Sequence, residues 1–104
     1  MMAQQQKIYR GWRDRRTRDT HVTVDDHPLR HVGAHSETFE WGYSGSGPAD
    51  LAWSILADYL GNESEEQAFR LHHQFKRFFI VRMDEWSWVL TAEQIEDWLK
   101  QPTR

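Results

Sequence analysis

The segment "FEWGYSGSGPADLAWSILADYL", residues 39–60, runs from alternating aromatic residues through a glycine-rich loop into an apolar stretch. The alternation places Phe39, Trp41 and Tyr43 on one face of a predicted strand. The stretch after the loop carries apolar residues at helical spacing, namely Leu51, Ala52, Ile55, Leu56 and Tyr59. The segment therefore predicts a strand and a helix over residues 48–60 whose apolar stripe packs on the aromatic face of the strand.

The glycine-rich loop either binds a phosphate group or only turns the chain. A phosphate-binding loop needs a Gly-Lys-Ser/Thr sequence and a dinucleotide-binding loop needs a third glycine, and neither occurs here. Asp50, in the predicted first turn of the helix, occupies the position that an anion would take. We therefore predict a structural bend in which Gly47 caps the helix and Pro48 is its first residue, built from Gly42, Gly45, Gly47 and Pro48. Binding of a nucleotide or another small ligand by this loop is the alternative.

Three further segments alternate in the way that is typical of strands. They are "KIYRGWR" (7–13), "THVTVDD" (20–26) and "WSWVL" (86–90). The charged sequence "DRRTRD" (14–19) joins the first two as a hairpin connection. With the aromatic segment at 39–43, the sequence predicts three or four strands.

Two more helices are predicted after the first. The second begins at Asn62 or Ser64, either of which can cap it, and extends to about Met83, although "FFIV" (78–81) could instead be a buried strand. The third opens with the capping box Thr-Ala-Glu-Gln at 91–94.

These elements predict an α+β fold, a small antiparallel sheet of three to four strands with three helices packed on one face. We expect a disordered tail at 1–6, a single domain at 7–100 and a C-terminal tail at 101–104.

Composition limits the function classes. The chain of 104 residues has a formal net charge of −3, which gives no whole-chain reason to bind polyanions or membranes. The absence of cysteine excludes disulfides, thiolate catalysis and cysteine-based zinc sites. No run of apolar residues reaches the length of a signal peptide or membrane span, so we expect a cytoplasmic protein. No catalytic motif is present, and we expect neither an enzyme nor a bound cofactor.

The histidines offer a possible metal site. His27, His31 and His35 are four residues apart, a spacing that on a helix would line one face and could hold zinc. A proline and a glycine interrupt this segment, so a continuous helix is not expected. His72 and His73 are adjacent and point in different directions on a helix. We therefore predict no metal site.

Positive charge is concentrated around the first hairpin. Residues 7–18 hold six Lys or Arg side chains against Asp14 alone, whereas residues 84–97 hold five acidic residues and no Lys or Arg. Partner binding is predicted for the hairpin residues Trp12, Arg13, Arg15, Arg16 and Arg18, which could bind an acidic protein groove or stack on and bind nucleic acid. The other interpretation is that the charges only keep the turn solvated. Homo-oligomerisation is left open.

The stretch from Phe39 to Leu60, together with "WSWVLTAEQIEDWL", resembles a family of short uncharacterised bacterial, plasmid and phage proteins. The shared motif is Trp-Gly-Tyr followed by a Gly-Ser-Gly-Pro loop and a Leu-Ala-rich helix, with similarity extending to Tyr9-Arg10-Gly11 near the start. The resemblance implies an accessory protein of a mobile genetic element and brings no activity or ligand with it.

Our leading hypothesis is therefore a small non-enzymatic binding or regulatory module that acts by protein–protein interaction on a host or defence macromolecule. The alternatives are nucleic-acid binding through the hairpin and small-ligand binding through the glycine loop.

Overall fold

The computed structural model of the protein describes residues 7–61 and 65–101. The predicted tail at 1–6, the predicted cap of the second helix at 62–64 and most of the predicted tail at 101–104 lie outside the described residues.

The described residues form a four-stranded antiparallel sheet and three α-helices, which confirms the predicted α+β fold. In chain order the elements are β1 (Ile8–Arg13), β2 (Thr20–Val24), β3 (His27–Pro28), α1 (Ser46–Leu60), α2 (Glu65–Phe78), a 3-10 turn (Ile80–Arg82), β4 (Ser87–Thr91) and α3 (Ala92–Leu99). None of the helices in the described ranges combines the length and the apolar composition of a membrane span.

The sheet has the order β3-β2-β1-β4, so β1 lies between strands from both ends of the chain. Tyr9 of β1 is opposite Val24 of β2 and Leu90 of β4. Paired residues of an antiparallel sheet share a face, and the core contains Tyr9 and Leu90 together with Val22 and Trp88. The buried side chains of β1, β2 and β4 therefore lie on one face.

The predicted strand over residues 39–43 is wrong. This segment has no strand partner and crosses the core as irregular chain. Trp41 is buried, and its Nε1 donates a hydrogen bond of 2.9 Å to the carbonyl oxygen of Glu85. Gly42 has a φ of +88°, which ends the alternation, so Tyr43 leaves the core and is half exposed.

Helix α1 is the most buried helix, with Leu51, Ile55 and Leu56 inaccessible to solvent and packed in one cluster with Trp41. It begins at Ser46, so the predicted start is wrong by two residues. The residue before the helix is Gly45, and Gly47 and Pro48 are its second and third residues. Pro48 is tolerated there because the N–H groups of the first turn have no partner within the helix.

The second half of the chain departs from the prediction at one boundary. Helix α2 ends at Phe78 rather than Met83, and residues 80–82 form a 3-10 turn, neither helix continuation nor strand. The predicted strand near 86–90 is confirmed as β4. The capping box of α3 is also confirmed, because Thr91 Oγ1 accepts a hydrogen bond from the N–H of Gln94 and Gln94 Oε1 accepts one from the N–H of Thr91.

Candidate binding surface

The outward face of the sheet is open and carries exposed apolar side chains. We call it the open face, and it consists of Ile8, Arg10, Trp12, His21, Thr23, Ser87, Val89 and Thr91. Trp12 is 43% exposed and Val89 is 54% exposed, although both are on strands whose alternate residues are buried. Large apolar side chains exposed together on a sheet surface mark an interaction site more often than isolated ones do.

Arg10 lies at the centre of this face. It is directly opposite Val89 on one side and Thr23 on the other. Trp12 stacks on His21 of the neighbouring strand, with ring centroids 5.3 Å apart. A shallow depression of about 470 Å³ is lined by Arg10, Trp12, Ser87 and Val89. The surface thus combines a cation, an ordered indole and a branched apolar side chain.

The open face differs in charge from the rest of the chain. None of its eight residues is a carboxylate, whereas the whole chain has 16 acidic residues and a net charge of −3. Asp25 borders the face at one end, where its Oδ1 accepts a hydrogen bond from the N–H of Ile8. Another nearby acid, Asp14, is occupied within the hairpin, where its Oδ1 accepts hydrogen bonds from the N–H groups of Thr17 and Arg16. These bonds hold the pKa of Asp14 below its usual value. The face therefore presents positive and apolar character to a partner.

The predicted hairpin residues do not act as one cluster. Trp12 is on the open face, but Arg13 turns the other way, and its side chain is only 8% exposed. The Arg13 guanidinium lies 3.0 Å from Glu40 and above the ring of Trp41. Arg13 therefore joins the hairpin to the aromatic segment at residues 39–43.

The other hairpin arginines surround Trp86, which the sequence prediction did not connect with them. Arg15 lies 4.2 Å from the centroid of the Trp86 ring and Arg18 lies 5.6 Å from it. Arg18 also contacts Glu85 at 3.4 Å. The side chain of Arg16 makes no hydrogen bond, ion pair or ring contact with the part of the chain that the structure describes.

The free edge of β4 is partly blocked. Trp86 and Ala92, on either side of β4, are bonded to the chain of β1 through their backbones. Because hydrogen bonding alternates along an antiparallel strand, Ser87, Val89 and Thr91 direct their backbone groups away from β1. The Ser87 N–H donates to Asp84 Oδ2, and the Thr91 N–H donates to Gln94 Oε1. An added strand would find two of the three outward N–H groups of this edge occupied, so the face is the more accessible binding surface.

A family model matches residues 9–101, described as "Family of unknown function (DUF6166)". The chain belongs to the DUF6166 family. No curated protein and no solved structure matches it. All of the open face except Ile8 lies within the range that the family model matches.

A buried carboxylate follows the glycine loop of this DUF6166 chain in sequence, but it hydrogen-bonds to a different loop. Asp50 lies in the second turn of α1, not the first as predicted, and is fully buried. Its Oδ2 accepts hydrogen bonds from the N–H groups of His35 and Ser36 and lies 2.9 Å from Nε2 of His31. Asp50 therefore anchors the loop before the aromatic segment to α1.

The three histidines spaced four apart are not brought together. His27 is exposed in β3, and His31 lies between Asp50 and the ring of Phe39. His35 is tilted against Trp53 at a centroid distance of 6.4 Å. Across residues 7–61 and 65–101, no group of three or more His, Asp or Glu side chains is arranged to hold a metal ion.

The His31 and Asp50 pair has the arrangement in which a carboxylate orients an imidazole. Nucleophilic catalysis would also need a hydroxyl within hydrogen-bond reach of the ring. Among the hydrogen bonds of the described residues, the His31 ring contacts Asp50 alone. In this family member the pair holds a loop in place.

Proposed function

We propose that this protein is a small non-enzymatic binding module that recognises an acidic surface of a partner protein through its open face. The observation that carries the proposal is the exposed pair Trp12 and Val89 beside Arg10, in a part of the sheet face where no residue is a carboxylate.

The composition of the face suits a binding anchor. Tryptophan and arginine are enriched among the residues that dominate binding energy at interfaces. Trp12 is already ordered by its stacking on His21, so less conformational entropy is lost when a partner covers it. Arg10, in the middle of the patch, would pair with a carboxylate of the partner, and this charge contact favours acidic over basic partners.

A second copy of the chain fits this face poorly. A twofold interface centred on this patch places the same residues of both subunits around the axis, which here brings Arg10 close to Arg10 of the other copy. The resemblance to short phage and plasmid proteins supports the further proposal that the partner is a cytoplasmic host or defence protein, which the module regulates or blocks.

Nucleic acid is the second candidate. The stacked rings of Trp12 and His21, with Arg10 on the same face and Arg16 in the hairpin turn, could stack on bases and contact phosphates. Such binding would weaken steeply with salt, and nuclease treatment would abolish recovery of the complex.

The test is affinity purification from host extract with and without nuclease, followed by mass spectrometry. We expect the wild-type chain to recover a protein after nuclease treatment, and the double variant Trp12→Ser and Val89→Thr to lose it. Phe69→Ser is the matched control, because Phe69 is 51% exposed on α2 and not on the open face. Equal loss with the control variant, or recovery that depends on nucleic acid, would contradict the proposal.

A further inference from the structure

A groove of about 460 Å³ lies beneath the arginine hairpin, on the side away from the open face. Its walls come from the hairpin, from the irregular aromatic segment and from the chain before β4, and include Arg13, Arg18, Glu40, Trp41, Tyr43 and Glu85. We infer that this groove is a second binding site, which accepts a peptide segment carrying a carboxylate next to an apolar side chain. The inference rests on the proposed function in that the partner is a protein.

Arg13 supplies a buried cation with unused donors. Its Nε donates a hydrogen bond of 3.2 Å to the carbonyl oxygen of Glu85, and Nη2 lies 3.0 Å from Glu40. A guanidinium has five N–H donors, and Nη1 has no partner among the described residues. Because the side chain is only 8% exposed, its position is held by the surrounding structure. An entering carboxylate would meet donors that are already in place.

Arg18 supplies a second cation at the entrance and holds a conformation that arginine disfavours. Its φ is +69°, in the left-handed region where glycine and asparagine are preferred. Backbone strain of this kind occurs often at binding sites. The contact of Arg18 with Glu85 is 3.4 Å long, and both side chains are more than half exposed. A partner carboxylate can replace Glu85 at Arg18 at little cost, since exposed ion pairs are weak.

The remaining walls select the ligand class. Tyr43 is 51% exposed and offers an aromatic surface for an apolar side chain beside the carboxylate. Glu40 and Glu85 also line the groove, so a doubly charged phosphate would be repelled by two carboxylates at close range. A singly charged carboxylate that takes the place of Glu85 avoids much of this repulsion.

The test measures binding of a fluorescein-labelled peptide of alternating glutamate and leucine by fluorescence anisotropy. The same peptide with glutamine in place of glutamate is the control ligand. The variants are Arg18→Gly and Arg16→Gly, which remove the same charge from the same hairpin. Arg18→Gly also relieves the left-handed backbone, so its folded state should be at least as stable as the wild type.

We expect Arg18→Gly to weaken binding of the glutamate peptide about tenfold or more and Arg16→Gly to change it by less than about twofold. Equal effects of the two variants, equal binding of the glutamine peptide, or displacement by equimolar inorganic phosphate would overturn the inference. The outcome does not depend on the open face. Loss of partner recovery in the Trp12→Ser and Val89→Thr variant tests the proposed function separately.

Discussion

His72 of α2 is a buried histidine at 1% exposure, stacked on Trp53. Burial lowers its pKa below the ordinary value of 6.5 in the folded chain. The unfolded chain therefore binds more protons near and below that pH, and the free energy of unfolding rises with pH. The stabilising effect is fully present above pH 6.5 and decreases as the pH falls below it.

We expect urea unfolding curves of the wild type to show decreasing stability as the pH is lowered from neutral through 6.5. His72→Leu should reduce this dependence, because the side chain that titrates is gone. His27→Gln, which changes an exposed histidine of β3, should leave it unaltered. If the stability of His72→Leu depended on pH as strongly as that of the wild type, other groups would be responsible for the dependence.

At the scale of elements, helix α1 approaches the preceding chain closely. A Cβ added at Gly47 would lie 2.8 Å from Cβ of Glu40 and 3.0 Å from its Cγ. Gly47→Ala should therefore destabilise the protein by about 1–3 kcal/mol through overpacking, although alanine is the better helix former. If there were space around Gly47, the same change inside the first turn of α1 would be neutral or stabilising.

Denaturant unfolding of Gly47→Ala beside Ser46→Ala separates these cases. Ser46 is exposed and is the first residue of the same helix, so its replacement reports the effect of alanine without crowding. We expect Ser46→Ala to stay within about 0.5 kcal/mol of the wild type. A gain in stability for Gly47→Ala would contradict the close packing.

The elements that could be predicted from the sequence are those specified by residues close to one another in the chain. The apolar stripe of α1 and the capping box at Thr91 act within a few residues, and both are in the structure. The segment at 39–43 alternates like a strand, but strand formation needs a neighbour that local pattern does not supply. Trp41 is buried by packing around an irregular chain and Tyr43 is half exposed, so the alternating aromatic residues do not share one buried face.

The candidate surface was only partly predictable for a related reason. The hairpin arginines are visible as a run of charge, but their neighbours come from the other end of the chain. Val89 lies opposite Arg10 only because β4 pairs with β1. Trp86 meets Arg15 and Arg18 for the same reason, since β4 follows it directly. Pairing of distant strands is specified by the whole fold.

At the scale of the whole molecule, the position of Arg10 keeps the open face from joining copies of the chain. It lies directly opposite Val89 and two residues before Trp12 on the same strand, and in a twofold contact centred on this patch it would meet its own counterpart. A charge in the middle of an apolar sheet face is a common device against self-association. Replacing it by leucine would make the apolar patch continuous.

We therefore expect the wild-type chain to sediment as a monomer and Arg10→Leu to associate as its concentration rises. Sedimentation velocity over a range of concentrations measures both. Arg16→Leu is the matched control, because it removes the same charge from the hairpin turn and leaves the face unchanged. A wild-type dimer, or association of both variants to the same extent, would show that Arg10 does not have this role. If Arg10→Leu associates and Arg16→Leu does not, the open face is a surface that can bind another protein. Arg10 is then the residue that makes this face select a charged partner over a second copy.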